Sequence, residues 1–381
     1  MRNKLILRQR NIFIFCLLLV LFPIQLIAKH SRPLIWDMVG LEQMKKEIAN
    51  NNEVKDIITA ENKYCDSKPI VIINERVLSF APNNHYYCSL GPYMWPDSVH
   101  PGQYIAIDGK TNPDSRYYDN GKLSNVATRC EKLSQAYYFT HDKKYYNAFV
   151  SQLKAWFLDG DTYMLPNFEY AQVRTKNNII LKDNSTGMVD AYYFNTIIES
   201  IRLVDSEKRV KHVIIKGLQQ WFLEFASWAE SKHGYFFREK SNQNISVAYD
   251  VTMVNMYLFA GKPEKAKGIV DRFAERRILK QIKEDGSQPE ELKRPIAFEY
   301  SIYNLTHFLD FCYLARYWDT NYYSSYGDRI DKAFSYLEHY LEQPELFPYQ
   351  KLSDLKRLRI WFNKQNTRRK GLRTSTSNVF E

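Results

Sequence analysis

The chain has 381 residues, of which 45% are hydrophobic and 25% are charged. This composition is that of a folded protein and excludes an intrinsically disordered one, which combines low hydrophobicity with high net charge. The length fits one large domain or two modest ones. A formal net charge of +10 favours a polyanionic partner, because a positive field raises the local concentration of such a molecule.

Residues 1–28 are predicted to be a cleavable secretory signal. Residues 12–21 form an unbroken apolar run that is too short to cross a bilayer comfortably, and Ala28 suits a cleavage site. The run follows a basic start made of Arg2, Lys4, Arg8 and Arg10. We expect a periplasmic or secreted protein with no stable membrane anchor after processing; an uncleaved anchor is the alternative. Export argues against nucleic acid as the polyanionic partner.

Helical periodicity dominates the chain from about Leu123 onward. One helix face is formed by residues spaced four, three and four apart: Val126, Cys130, Leu133 and Tyr137. A second amphipathic pattern follows after a short polar turn, with Phe149, Leu153 and Trp156 on one face. Two helices joined by so few residues make an antiparallel helical hairpin.

The hairpin pattern recurs twice, from Asn255 and from Cys312, although the similarity is loose. Repeated hairpins either stack as a solenoid or close into a ring. Residues 86–118 and 168–184 are rich in turn formers and aromatic residues, and they are predicted to be ordered, functional loops. Residues 346–381 carry a cluster of cations, and we expect them to be a solvated, partly disordered tail.

The helix beginning near Pro295 is the main candidate for chemistry. Its apolar stripe is formed by Phe298, Ile302, Leu305, Leu309 and Cys312. Tyr300, Tyr303 and His307 form a second stripe nearly opposite the first. In the inner layer of a ring of hairpins, this second stripe would line the central cleft. The alternative is that these three residues only pack against neighbouring helices.

Three other segments add polar candidates. Arg294 directly precedes the helix, where a cation would hold a sugar carboxylate and lower the pKa of a phenol; a simple surface helix start is the alternative. Asn244 offers an amide donor, although asparagine is also a good helix cap. The loop "PNFEYAQ" from Pro166 contributes Tyr170 and Gln172.

Five segments, in this order, resemble motifs of the alginate lyase superfamily. The resemblance covers residues 86–318. The segments are "YYCSLGPYMWPD", "IAIDGKTNPD", "AYYFTHDKKYYNAFVSQLKAWFLD", "MLPNFEYAQ" and "DGSQPEELKRPIAFEYSIYNL". The resemblance implies an all-α fold, an incomplete (α/α) toroid of antiparallel hairpins with long aromatic-rich loops, over residues 29–345. It also implies cleavage of a 1,4-linked uronate polymer, alginate- or glucuronan-like, by β-elimination.

The resemblance also assigns roles residue by residue. Asn244 matches a family asparagine that neutralises the substrate carboxylate, and Arg294 matches an arginine that assists it. Tyr300 or Tyr303 matches the tyrosine that acts as acid and base, with Tyr300 preferred. The substrate-binding set is expected to be Gln172, Tyr170, Tyr249, His307, Trp95 and His85. An acidic polysaccharide is the only partner implied, with no cofactor and no metal; the oligomeric state is left open.

One departure from the family pattern affects the mechanism. Ile245 stands where the family has a histidine, and Gln243 stands where it has the first asparagine. Isoleucine cannot carry a proton. Either a single tyrosine acts as base and then acid in a syn elimination, or the protein is an inactive or altered glycan-binding protein. His85, His233 and His307 are candidate replacements.

A further departure concerns the substrate, since Ile296 replaces a second family arginine. Alginate itself is therefore not assumed. A glycoside hydrolase on a similar ring is a third possibility. The available carboxylates are Glu169, Asp190, Asp250 and Glu299. Their spacing does not suggest a catalytic pair at the required separation.

Overall fold

The computed structural model describes residues 32–374, apart from 49, 51, 74–80, 177–178, 182–184, 208–209 and 235. The predicted secretory signal therefore lies outside the described residues. Within the described chain, no helix has both the length and the apolar character needed to cross a membrane.

Helices dominate the fold, as predicted, and they form the antiparallel hairpins of an incomplete toroid. In chain order the α-helices are α1 Met38–Lys46, α2 Asn52–Asp66, α3 Asp119–Thr140, α4 Lys143–Leu153, α5 Tyr193–Asp205, α6 His212–Trp228, α7 Asn244–Phe259, α8 Pro263–Phe273, α9 Leu279–Gln281, α10 Pro289–Leu292, α11 Ala297–Ala315, α12 Tyr322–Tyr326, α13 Asp328–Glu342 and α14 Leu355–Thr374. Single π-helical turns extend α4, α6 and α8 at their carboxyl ends.

The predicted hairpin between α3 and α4 is confirmed, and its turn has a clear local cause. His141 ends α3 in the left-handed conformation, with φ of 54°, and its N–H bonds back to the Tyr137 carbonyl. Asp142 then caps α4, since its side chain accepts from Lys144 N at 2.9 Å. In the α7–α8 hairpin, Gly261 adopts φ of 70° and Pro263 begins the next helix.

Burial separates an inner from an outer layer of helices. Every residue of α7 is buried except Ile245, and α11 is buried over most of its circumference. By contrast, α8 buries only Ala266, Val270 and Phe273, which lie on one face. A helix that is buried all round belongs to the interior, whereas a one-sided helix covers it. The site therefore depends on α7 and α11, which the outer helices hold in place.

Within the described residues, the two predicted loops contain short strands. The strands are β1 Cys88–Leu90, β2 Met94–Pro96, β3 Tyr104–Ala106, β4 Tyr170–Lys176 and β5 Ile179–Leu181. β1 pairs parallel to β4, and β4 pairs antiparallel to β5. β2 and β3 form a separate antiparallel hairpin. Residues of β2, β3 and β4 reach the pocket described below.

The expectation of a solvated, partly disordered tail is wrong for residues 355–373. Leu358, Phe362 and Leu372 of α14 are buried against the core. Arg368 pairs with Asp310 of α11, and two further cations, Arg369 and Arg373, pair with Asp331 of α13. The cationic composition obscured an apolar stripe at helical spacing, which docks this segment onto α11.

Candidate active site

A pocket of about 570 Å³ lies between the loop strands and the helices α7 and α11. Five of the predicted site residues line it: Gln172, Asn244, Arg294, Tyr300 and Tyr303. Sequence reasoning missed further lining residues, which include Tyr93, Met94, Asp108 and Trp361. Tyr300 and Tyr303 of α11 therefore do face a cleft, which they share with the guanidinium of Arg294 and the amides of Asn244 and Gln172.

Tyr300 is surrounded by hydrogen-bond partners. Its hydroxyl accepts from Arg294 Nη2 at 2.7 Å and also hydrogen-bonds the Tyr93 hydroxyl. The Arg294 guanidinium carbon lies 3.8 Å from the centroid of the phenol ring. Burial raises the pKa of Tyr300, the bond to Tyr93 raises it further, and Arg294 opposes this. The phenol is therefore protonated at neutral pH, and Arg294 is the contact that favours its phenolate form.

Arg294 is held in place by a carboxylate from the loop. Asp108 accepts from its Nε at 2.8 Å and from its Nη2 at 2.6 Å, and the hydrogen bond from Arg294 lowers the pKa of Asp108. Next to it, Gly109 has φ of 73° and packs against Pro295, which precedes α11. The two hydrogen bonds from Arg294 to Asp108 fix the plane of the guanidinium. Nη1 has no partner among the described residues.

Asn244 begins α7, and a buried carboxylate orients it. Its backbone N and its Nδ2 each donate to Glu291 at 2.7 Å, and Glu291 is 1% exposed. Burial raises the pKa of Glu291 to about 7, although the bonds from Asn244 oppose this. One N–H of the amide remains for a ligand, since Nδ2 carries two hydrogens. Sequence reasoning did not identify Glu291 as a partner of Asn244.

Gln172 presents a second fixed amide to the pocket. It adopts the left-handed conformation, with φ of 45°, which is unusual for a residue other than glycine. Its backbone N donates to Ser89 Oγ at 2.7 Å, and its Nε2 donates to Asp190 at 2.6 Å. Asp190 also accepts from the Tyr87 hydroxyl at 2.8 Å. Backbone strain of this kind persists where surrounding contacts enforce it, often at functional sites.

Tyr303 differs from Tyr300 in its surroundings. Its hydroxyl has no hydrogen-bond partner within the described part of the chain, and its ring packs edge-on against His307 at 4.2 Å. His307 lies behind this wall, fully buried, and does not line the pocket as predicted. Burial lowers its pKa to about 3, so the imidazole is neutral. Neither of its ring nitrogens has a partner among the described residues.

The two loop aromatics predicted to bind substrate do not line the pocket either. Trp95 donates from Nε1 to the Lys110 carbonyl at 2.8 Å. Met94 lines the pocket, whereas its neighbour Trp95 does not. His85 bonds the Tyr163 carbonyl at 2.8 Å through Nδ1. Both side chains therefore lie outside this pocket, and their part in binding a polymer stays a prediction.

Tyr170 and Tyr249 are likewise core residues rather than pocket residues. Tyr170 is 3% exposed and packs edge-on against Tyr86. Tyr249 is also 3% exposed, and its hydroxyl donates to the Ala229 carbonyl at 3.3 Å. The remaining candidate replacement for the family histidine, His233, has a side chain that lies outside the described residues.

The pocket offers amide dipoles rather than surplus positive charge. Among the described residues, its charged lining consists of one cation, Arg294, and two carboxylates, Asp108 and Glu299. Ile245 and Ile296 also line it, so the departures from the family pattern fall on the pocket wall. Of the four carboxylates considered for hydrolysis, only Glu299 lines the pocket. No metal-binding group of three His, Cys, Asp or Glu occurs among the described residues.

Comparisons with known proteins agree with the motifs. The model of the alginate lyase family matches residues 75–347. The chain is also similar to the crystal structure of an alginate lyase from Bacteroides ovatus, with a TM-score of 0.83 and 29% identity, over 91% of this chain and 93% of that chain. A search of curated proteins found no match. The family resemblance and the predicted fold class are thereby confirmed.

Proposed function

Because the chain belongs to the alginate lyase family, we propose that it cleaves a 1,4-linked uronate polymer, alginate- or glucuronan-like, by β-elimination. One observation carries the proposal: the phenol of Tyr300, the guanidinium of Arg294 and the amide of Asn244 line the same pocket. These groups match the three requirements of the reaction, which are neutralising the substrate carboxylate, removing the C5 proton and protonating the leaving oxygen.

The carboxylate of the sugar would be held by N–H donors. Asn244 offers the second hydrogen of Nδ2, oriented by Glu291, and Arg294 offers Nη1. Donors to this carboxylate stabilise the negative charge that develops when the C5 proton leaves, and fixed donors do so without reorganisation. Since Asp108 balances the charge of Arg294, the stabilisation of the sugar carboxylate would come from directed hydrogen bonds more than from net charge.

Tyr300 would carry the proton in both steps. Because the resting phenol is protonated, the reaction starts from its minor phenolate form, which the hydrogen bond from Arg294 would stabilise. This phenolate takes the C5 proton, the electron pair of that bond forms the C4–C5 double bond, and the C4–O4 bond breaks. The phenol then gives the same proton to O4, which regenerates the phenolate. Arg294 hydrogen-bonds the Tyr300 oxygen and would stabilise its charged form. A single phenol at one face of the sugar suits a syn elimination, which requires no histidine at position 245.

The presence of Ile245 in the pocket wall favours a second candidate, a glycan-binding protein that does not cleave. That protein would retain uronate polymers on a column without releasing product. In either case we place the polymer outside the cytoplasm, since the basic start and the apolar run of residues 12–21 support export by a cleavable signal.

The test is to incubate the purified protein with alginate, polyglucuronate and related uronate polymers. The expected result is a rise in ultraviolet absorbance from the unsaturated sugar at the new chain end. Hydrolysis would give new reducing ends without this absorbance. If no uronate polymer yields the unsaturated product while at least one is retained, the binding candidate replaces the lyase.

A further inference from the structure

The pocket has one wall that comes from outside the segment matched by the family model. Trp361, on α14, lines the pocket, whereas the family match ends at residue 347. We propose that Trp361 is a sugar-stacking residue and that it forms, with Glu299, a subsite for a pyranose ring of the substrate polymer. This inference rests on the proposed function, since it names how the same pocket holds its polymer.

The position of Trp361 on α14 is fixed by the docking of that helix. Leu358 and Phe362 on neighbouring turns are buried, and Trp361 itself is half-buried at the edge of the same apolar face. Ile360, one residue away, points to solvent and is 62% exposed. The indole is therefore held by the core on one side and presents its remaining surface to the pocket.

Glu299 lies on α11, the helix of Tyr300, and links that helix to the segment that carries Trp361. Its carboxylate accepts from Arg357 Nη2 at 3.0 Å and from Gln350 Nε2 at 2.9 Å, and both donors belong to the carboxyl-terminal segment. These two bonds bridge α11 and the segment that carries Trp361. The ion pair with Arg357 also balances the charge of Glu299, so that its oxygens are suited to accept sugar hydroxyls rather than to repel the polymer.

The chemistry of the wall suits a sugar. An indole offers a flat apolar face on which the C–H groups of a pyranose ring pack, while an adjacent carboxylate accepts the equatorial hydroxyls. Ile296 adds apolar surface to the same pocket. Because Glu299 directly precedes Tyr300 on α11, the subsite adjoins the reacting centre. A ring stacked there would fix the position of its neighbour in the chain over Tyr300.

The test compares Trp361→Phe with Trp361→Leu in the full-length protein. Both variants keep an apolar side chain at the docking face, but only phenylalanine keeps a flat ring. Stacking predicts that Trp361→Leu raises KM for the polymer roughly tenfold, with kcat changed less than about twofold, and that Trp361→Phe stays within about threefold of the wild type. Ile360→Ala is the matched control on the same helix, and thermal unfolding checks the fold.

The outcomes separate this inference from the proposed function. If the wild type cleaves or binds a uronate polymer and both variants lose affinity equally, or neither does, the stacking subsite is wrong and the function stands. If the wild type binds without cleaving, the same ranking is read from dissociation constants for oligouronates. If it neither binds nor cleaves any uronate polymer, the proposed function fails and the subsite fails with it.

Discussion

Within the described part of the chain, the candidate site of about 570 Å³ can be compared with a pocket of nearly equal size, about 610 Å³, which differs in how its polar groups are used. In the second pocket, the buried charges are already paired. Glu199 accepts from the backbone N of Leu34 at 2.6 Å and of Ile35 at 2.7 Å, and Asp310 accepts from Arg368 and Tyr192. The first pocket instead leaves donors of Asn244 and Arg294 available.

The two pockets are therefore distinguished by their unused hydrogen-bonding capacity and not by their volume, which makes the first pocket the better candidate for a ligand site. The two pockets are separated by a stack of three rings. Tyr303 lines the first pocket, Tyr192 lines the second, and His307 lies between them with ring centroids 4.2 and 4.3 Å away. We therefore expect substitutions around the first pocket to change catalysis, and substitutions around the second to change stability or nothing.

The largest effect is expected from Tyr300→Phe. Removing the group that carries the proton should lower kcat by about 10³-fold, which is within the range for general acid–base catalysis. Tyr303→Phe is the matched control on the same helix and in the same pocket, and it should lower kcat by less than about tenfold. Initial rates of product absorbance measure both. Equal losses in the two variants would mean that Tyr300 has no special role.

The next largest effect is expected on stability, from a substitution in the second pocket. Arg368→Ala leaves the carboxylate of Asp310 buried without its cation, which should lower the free energy of unfolding by about 3 kcal/mol. The specific activity of the folded fraction should stay unchanged. Urea unfolding and rate measurements at low temperature check this. A loss of kcat without a loss of stability would show that the second pocket takes part in catalysis.

A pH-dependent effect is expected from Glu291. Its pKa is raised by burial to about 7, so below this pH the carboxyl is protonated and accepts the two bonds from Asn244 less well. We expect kcat/KM of the wild type to fall as pH decreases through 7. Glu291→Gln should have a kcat/KM about tenfold lower, without that inflection. A pH–rate profile of the two proteins measures the inflection. If the variant keeps the same inflection, a group other than Glu291 causes it.

The raised pKa of Glu291 also predicts how stability depends on pH, and stability should change in the direction opposite to kcat/KM. A carboxyl whose pKa is higher in the folded than in the unfolded protein binds its proton more tightly when folded, so its contribution to stability is lost as pH rises from about 4.5 to 7. The midpoint of thermal unfolding should therefore fall over this range, and it should fall less in Glu291→Gln. Equal slopes for the two proteins would contradict the assignment.

The smallest effect is expected from Lys364→Ala. Lys364 is an exposed residue that lines the second pocket. Its removal should leave kcat, KM and the unfolding midpoint unchanged, within about 0.5 kcal/mol for stability. A rise in KM for the polymer would show that the second pocket binds substrate as well, and would weaken the distinction between the two pockets.

The sequence predicted the helical hairpins because apolar residues at a period of 3.6 bury one face wherever the helices pack. It also brought out Tyr300, Tyr303, Arg294 and Asn244, since the motifs carry them. It missed Asp108, which contacts Arg294 across 186 residues of sequence, because no local pattern reports such a contact. It missed the docking of α14 because cations outnumber the apolar residues on that helix.

The left-handed backbone of Gln172 limits how this pocket can change in evolution. Glycine, asparagine and aspartate adopt such a φ most readily, and a β-branched residue there would be a genuine outlier. Most single substitutions at this position would distort the strand before they altered any contact with a ligand. Related proteins that prefer a different polymer are therefore expected to differ at Ile245, Ile296 or Trp361, where the backbone imposes no such restriction, and to keep a small set of residues at position 172.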